Sequence, residues 1–499
     1  MKILMLNPPY PTLFSRGSRW QASPKGVALW PPIWMIYATG VLENAGHELK
    51  LLDCPATEMK TPELLDVIRE FKPALITVYT STASIGNDME VVEEIRKAFP
   101  GPRICMVGPH VSVEADRTFM DSPGTDFIIR KEFDYALRDL AVCLEKGGDL
   151  ADVPNLSYRA GYPDKAGGLR HNPTGPYIKD LDELPFAARV IKKHLDYRDY
   201  HMDYLLYPFI QIYTGRGCPY ECSFCLWPQT LMGRGYRRRG LDNVFKEIDY
   251  ILKEMPGVKE IMFDDDTFTA NPYRVREFCE KIIAGGYYFS WAVNVRADVT
   301  DLALLKLMRK AGCRAFVVGY ESGSQAILDN VQKRTKVETM LVFSRLCREA
   351  GIQVHGDFVL GLPGETRETI KETGRAIRKL RPDTMQISIA LPLPGTRFYT
   401  WAQDNGYLKT TDFNDWVSKK GKQKYLVEYP ELPGDEILNS MYYMLLGYFL
   451  SPSYIFRSLG RIAKDPKEAV KFYYAGIKFV KYAVSGFKDV LGRKKDAQQ

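Results

Sequence analysis

Phe209-Ile210-Gln211-Ile212-Tyr213-Thr214-Gly215-Arg216-Gly217-Cys218-Pro219-Tyr220-Glu221-Cys222-Ser223-Phe224-Cys225 carries a short apolar strand directly into three cysteines spaced C-x3-C-x2-C. Three thiolates on one tight loop can bind three irons of a cubane cluster and leave the fourth open to an added ligand. A structural zinc site needs a fourth Cys or His with local pairing. The next cysteine, Cys279, is more than fifty residues away in an apparent helix. A chance grouping of buried thiols is the bland alternative. The spacing and the strand-to-loop setting favour iron and sulfur.

Outward from this loop, the apolar runs Phe209–Tyr213, Glu260–Phe263, Ser290–Val295, Ala315–Gly319, Gln353–Leu360 and Met385–Ala390 read as strands. Helical patterns such as Asp242–Glu254 and Val337–Ala350 separate them. Six βα units in about 190 residues suit a partial (β/α)6 barrel better than a full eight-fold one. Upstream, Ile3–Asn7, Glu48–Asp53, Ala74–Tyr79, Arg103–Val107 and Asp126–Ile129 alternate with helical stretches such as Pro62–Phe71 and Gly86–Ala98. That alternation predicts an α/β fold with a doubly wound, Rossmann-like parallel sheet. Ligands of such sheets bind beyond the carboxyl ends of the strands. The candidate loops are therefore Asn7-Pro8-Pro9, Thr80-Ser81-Thr82-Ala83-Ser84 and Gly108-Pro109-His110. The expected organisation is a first domain at 1–145, a linker at 146–205, the barrel at 206–400 and a helical, basic-aromatic region at 401–499.

Composition narrows the class. The chain has 499 residues, 45% hydrophobic and 26% charged, which suits a globular protein of several domains. The N-terminal MKILMLNPPYP turns after one short strand and lacks a signal-peptide pattern, so a cytoplasmic protein is expected. Nine cysteines spread over such a chain argue for thiol or metal chemistry rather than a disulfide framework. Residues 451–499 hold eleven Lys and Arg against four Asp and Glu, which accounts for the whole net charge of +7. The first 450 residues are neutral, so no nucleic-acid partner is expected.

The cysteine loop resembles the signature of the radical S-adenosylmethionine (SAM) superfamily. That resemblance implies a [4Fe-4S] cluster on Cys218, Cys222 and Cys225. It implies SAM chelated at the open iron and cleaved reductively to a 5′-deoxyadenosyl radical. Phe224 would lie against the adenine. Asp264-Asp265-Asp266 follows the second barrel strand, where many members carry Gly-Gly-Glu for the SAM amino group; the departure leaves Asp266 as the choice. By itself the triplet also reads as a magnesium site or a helix N-cap. Arg296, Glu321 in Gly319-Tyr320-Glu321-Ser322-Gly323, and Gly361 in Gly361-Leu362-Pro363-Gly364-Glu365 stand at later strand ends as further SAM contacts. A doubly wound domain ahead of such a barrel resembles the cobalamin-binding members. Asn7, Pro8, Ser81, Gly108 and His110 then become cobalamin contacts, although His110 reads equally as a helix cap. The chain has no Asp-x-His-x-x-Gly, so that resemblance implies cobalt without a lower histidine ligand. A Rossmann-like module that binds nothing, or a nucleotide, is the alternative; Gly-x-Gly-x-x-Gly after the first strand is absent.

Cys225-Leu226-Trp227-Pro228-Gln229-Thr230, Arg130–Asp134 and Gly17-Ser18-Arg19-Trp20-Gln21 are similar to hopanoid-biosynthesis members of the bacteriohopanetetrol cyclitol ether synthase type. That subgroup implies a hydrophobic, lipid or isoprenoid-linked substrate and radical rearrangement or cyclisation. Methylation of a small polyketide, peptide or terpenoid is the alternative, and a non-catalytic cobalamin and redox sensor is the alternative of another class. An electron donor such as flavodoxin or ferredoxin is implied, and no acid/base dyad is expected, because the cofactors carry the chemistry. Val470, Tyr473, Ile477, Val480, Val484, Phe487 and Leu491 form an apolar stripe beside Lys471, Lys478, Lys481 and Lys488. Such a helix either lies on a membrane surface with snorkelling lysines or packs on the barrel. The uncharged run Ile437–Phe456 reads as a packed or interfacial helix rather than a span.

Overall fold

The computed structural model describes residues 1–18, 28–161, 167–417 and 424–464. Its first sheet is built from β1 (Lys2–Asn7), β2 (Glu48–Asp53), β3 (Leu75–Tyr79), β4 (Arg103–Val107), β5 (Phe127–Ile129), β6 (Leu156–Arg159) and β7 (Leu169–His171). The order is β2-β1-β3-β4-β5-β6-β7, parallel from β2 to β5 and antiparallel thereafter. Ile3 to Leu6 and all of Leu75–Tyr79 are buried, as central parallel strands covered on both faces must be. The segment expected as a linker at 146–205 instead supplies β6 and β7 to this sheet. Its Pro- and Gly-rich composition hid two short strands that carry little alternation.

The second sheet contains β8 (Phe209–Ile212), then β11 (Glu260–Phe263), β12 (Ser290–Val295), β13 (Cys313–Glu321), β14 (Gln353–Leu360) and β15 (Thr384–Ile389). Between β8 and β11 a separate two-stranded ribbon pairs β9 (Gly215–Arg216) with β10 (Arg237–Arg238). The six strands are parallel and lie side by side in chain order, the expected partial barrel. Strand β13 runs two residues past each expected end, with a register shift between Gly319 and Glu321.

The helix Ile33–Asn44 is apolar all round, with Ile33 to Leu42 buried, because it is enclosed on every side. It lies against the helices Asp134–Lys146 and Ala187–His194 and reaches the cysteine loop: Trp34 stacks on Trp227, and Tyr37 on Tyr213. The Tyr37 hydroxyl accepts the Tyr213 N–H at 3.0 Å. One apolar core thus runs from the first sheet into the barrel.

After β15 come the helices Arg397–Asp404, Gly434–Phe449 and Pro452–Lys464. The uncharged run Ile437–Phe456 is therefore two helices, broken ahead of Pro452, whose missing N–H suits the first turn of a new helix. Among the described residues, no helix is long and apolar enough to cross a membrane. The apolar stripe at 470–491 and Arg19-Trp20-Gln21 lie outside the described residues.

Candidate active site at the facing strand ends

The cysteine loop hangs from the β9–β10 ribbon, so its base is closed like a hairpin. Gly217 has φ +88°, and a Cβ there would stand 2.1 Å from the Gly235 carbonyl oxygen; only glycine fits. Other parts of the barrel grip the loop backbone. Ser223 N–H donates to the Val331 carbonyl at 2.9 Å, and Phe398 N–H donates to the Ser223 carbonyl at 3.1 Å. Gln229 Nε2 donates to the Cys225 carbonyl at 2.7 Å, while its Oε1 accepts from Arg397 N–H. Arg334 pairs with Glu221. None of these bonds uses a cysteine sulfur.

Cys218, Cys222 and Cys225 are free thiols, and all three are partly exposed, whereas Cys54, Cys105, Cys279, Cys313 and Cys347 are buried. Among the described residues no three His, Cys, Asp or Glu side chains converge on one metal point. A cubane is compatible with that, because it gives each thiolate its own iron. Burial, and next the nearby Asp266 carboxylate, push the Cys218 thiol up to about 11. Bound metal deprotonates such a thiol outright. Cys222 lies within electrostatic reach of both Arg296 and Lys333, so this part of the loop faces two cations.

The aspartate triplet divides its work. Asp264 ties β8 to β12 by accepting from Gln211 Nε2 at 2.5 Å and Asn294 Nδ2 at 2.6 Å. Asp265 accepts the Thr214 N–H and hydroxyl, both at 2.6 Å, and burial pushes its carboxyl up to about 6. Asp266 is the member whose charge reaches Cys218. Arg296 stacks 3.6 Å from the Tyr220 ring centroid and donates to the Asp298 carboxylate, the Lys333 backbone carbonyl and the Thr335 hydroxyl. Glu321 takes the left-handed region at φ +63° and pairs with buried Lys333 at 2.7 Å. A Cβ on Gly319 would reach that pair, so a glycine keeps its space open. Phe224 is buried in the main core. Gly361 donates its N–H to Glu365, and its carbonyl accepts the Tyr429 hydroxyl at 2.9 Å, which ties this turn to the C-terminal region. Lys333 was not legible as a site residue, because no strand-end motif marks it.

At the first sheet, the carboxyl ends of β1, β3 and β4 gather Asn7, Pro8, Ser81, Gly108 and His110. Asn7 donates to Asp53 at 2.7 Å, and Arg16 donates to Asn7 Oδ1, the Pro8 carbonyl, Ser84 and Asp88. Ser81 bonds Ser84 at 2.8 Å. Gly108 has φ +125° and no room for a Cβ, which would stand 2.3 Å from the Thr80 carbonyl oxygen. His110 is buried, bonds Thr82 Oγ1 at 3.1 Å and meets the Phe413 ring edge-on at 4.8 Å. Among the described residues, buried Thr77 Oγ1, Tyr79 Oη, Trp34 Nε1 and Trp227 Nε1 have no hydrogen-bond partner. Such atoms suit an amide-rich ligand lodged between the sheet and the cysteine loop. A cleft of about 1110 Å³, lined by Arg69, Lys72, Arg103 and Arg170, lies at the opposite, amino ends of these strands, away from this chemistry.

Burial, and then Arg117, depress the His110 imidazole to about 3. The folded chain therefore takes up fewer protons than the unfolded one as pH falls through 6.5, and stability present above that pH is lost toward pH 3. The loss from this group is on the order of 5 kcal/mol at the acid limit. H110Q is expected to flatten the fall of melting temperature between pH 6.5 and 4; an unchanged slope would assign the acid limb to other groups.

Residues 25–141 match the B12 binding domain, and residues 212–377 match the radical SAM superfamily. The chain is accordingly an enzyme that joins a cobalamin-binding domain to a radical SAM barrel. Its cofactors are a [4Fe-4S] cluster, SAM and cobalamin. It is 28% identical to an uncharacterized methyltransferase of Pyrococcus horikoshii, over 84% of this chain and 86% of that one. It is 30% identical to the anaerobic magnesium-protoporphyrin IX monomethyl ester cyclase of Cereibacter sphaeroides, over 75% of this chain and 61% of the relative. It is 25% identical to the hopanoid C-3 methylase of Methylococcus capsulatus, over 77% and 70%. The fold is similar to that of the cobalamin-dependent SAM radical enzyme OxsB, with a TM-score of 0.70 at 17% identity over 97% of this chain and 72% of that one. It is also similar to the radical SAM methyltransferase TsrM of Kitasatospora setae, with a TM-score of 0.68 at 18% identity over 91% and 89%.

Proposed function

We propose that the protein methylates an unactivated carbon of a hydrophobic, lipid-like substrate. The observation that carries this reading is the meeting of strand-end loops from both sheets. A Cβ on Gly395, in the loop after β15, would stand 2.6 Å from Val113, in the loop after β4, and 3.0 Å from Thr230 of the cysteine loop segment. A group held on the first sheet is thereby presented to the barrel. Two of the relatives described above carry methylase names, which supports the same reading. When bound, the cofactors supply a carbon radical and a transferable methyl group. Cys218, Cys222 and Cys225 hold the cluster; Phe224, Asp266, Arg296, Glu321 and Gly361 hold SAM; Asn7, Pro8, Ser81, Gly108 and His110 hold cobalamin. The packed aromatic seam of Trp34, Tyr37, Tyr213 and Trp227 excludes water between the sites. Exposed Leu450, Phe456 and Leu459 near the last described helix agree with a lipid-like substrate and peripheral membrane contact. A small acidic electron carrier of the flavodoxin or ferredoxin kind completes the reading.

Rearrangement or cyclisation is the second reading, favoured by the cyclase relative. Anaerobic reconstitution with SAM, reductant, cobalamin and a lipid extract, followed by mass spectrometry, separates the two. Methylation requires 5′-deoxyadenosine and S-adenosylhomocysteine together with a methylated lipid. 5′-Deoxyadenosine without S-adenosylhomocysteine supports rearrangement, and neither product from an intact cluster supports a sensor.

A further inference from the structure

Arg216 is the second residue before Cys218, and its side chain is only 1% exposed. It donates Nη1 to Glu132 Oε1 and Asp134 Oδ2, both at 2.9 Å, and Nη2 to Asp134 Oδ1 at 3.2 Å. Both acids are equally buried, and they follow β5 of the cobalamin-binding domain. Arg237, on the opposing strand of the ribbon, donates to the same Glu132 at 2.8 Å. Both strands at the base of the cysteine loop are therefore pinned to one carboxylate pair on the other sheet. The rings of Trp34 and Tyr37, each centred 4.9 Å from the Arg216 guanidinium carbon, wall the group in. Lys131 holds φ +61° immediately before Glu132, and its N–H donates to Ser112 at 2.8 Å, so the acids are themselves held from behind.

Such an array is a poor way to gain stability. Desolvating buried charges costs several kcal/mol per ion, and apolar packing of equal volume often does as well. What a planar guanidinium against two carboxylates supplies is geometry, because its fork fixes angle as well as distance. An apolar seam can slide, whereas this one cannot without breaking charged hydrogen bonds.

We propose that Arg216, Glu132 and Asp134 form an interdomain clamp that fixes the distance and orientation of the cysteine loop relative to the strand ends that hold cobalamin. Arg216 is then a positioning residue for transfer between the two sites. The test uses the full chain loaded with cluster and cobalamin. Pulsed dipolar electron paramagnetic resonance measures the separation of the reduced cluster and Co(II) cobalamin, each carrying an unpaired electron. The wild type should give one narrow distance. R216M should broaden it about twofold or more, with iron and cobalamin content unchanged. An unchanged narrow distance in R216M with both cofactors bound overturns the clamp. Should R216M not fold, D134N takes its place, since it keeps the side-chain volume but removes one of the two acceptors of the Arg216 fork; broadening there supports the clamp, and a wild-type distance overturns it.

Discussion

Replacing Cys218, Cys222 and Cys225 together by Ala should remove the roughly four irons of a loaded chain and reduce 5′-deoxyadenosine formation to background. The expectation is sharp because the loop does not depend on its sulfurs for shape. Ser223 is held through its backbone by Val331 and Phe398, and the Cys225 carbonyl by the Gln229 side-chain amide, which in turn accepts from Arg397 N–H. The variant should therefore fold, with a circular dichroism spectrum and melting temperature close to those of the apo wild type. Iron analysis and mass spectrometry of SAM turnover provide the measurement. Residual 5′-deoxyadenosine from an iron-free triple variant would sink the assignment. As a control, C279A removes a buried thiol from the core and should lower stability while leaving iron content alone.

The second large effect lies at the other sheet. Arg16 and Asp88 are fully buried and joined by two bonds, at 2.6 and 3.0 Å, with Ser84 donating to the same carboxylate at 2.6 Å. Burial pushes the Asp88 carboxyl up, and Arg16 holds it back. D88A leaves a guanidinium stranded among Tyr10, Phe14 and the Pro8 carbonyl, at an expected cost of about 3–5 kcal/mol. Because the same Arg16 orders Asn7 and Pro8, cobalamin affinity should fall with stability. Chemical denaturation and cobalamin titration test both. Loss of the exposed Lys306–Glu349 pair should change stability by less than about 1 kcal/mol. If D88A proved as mild, the buried network would carry no special weight.

Much of the fold was legible because its signals are local. The strands expected at Glu48–Asp53, Arg103–Val107 and Ser290–Val295 and the helix at Val337–Ala350 occur with those bounds. The period of burial is written into each segment, and short apolar runs between amphipathic helices leave few alternatives. The segment at 146–205 failed for the converse reason. Strand β6 is stabilised by pairing with β5, and β7 by pairing with β6, rather than by any alternation of their own.

The candidate site divides in the same way. The sequence alone determined the cysteine loop, since the spacing of three cysteines on one turn is a property of a few consecutive residues. It also determined the order of strand ends that brings Asp264–Asp266, Arg296, Glu321 and Gly361 to one end of a barrel. It could not say which aspartate of the triplet faces the cluster loop, because Asp264 and Asp265 are occupied by Gln211, Asn294 and Thr214. Nor could it pair Glu321 with Lys333, Arg16 with Asp88, or Arg216 with Glu132 and Asp134. Those partners are 12, 72 and more than 80 positions apart. A charged side chain shows its own need for a partner in the sequence, but which partner meets it is fixed only when two sheets close on each other and exclude the water that would otherwise serve.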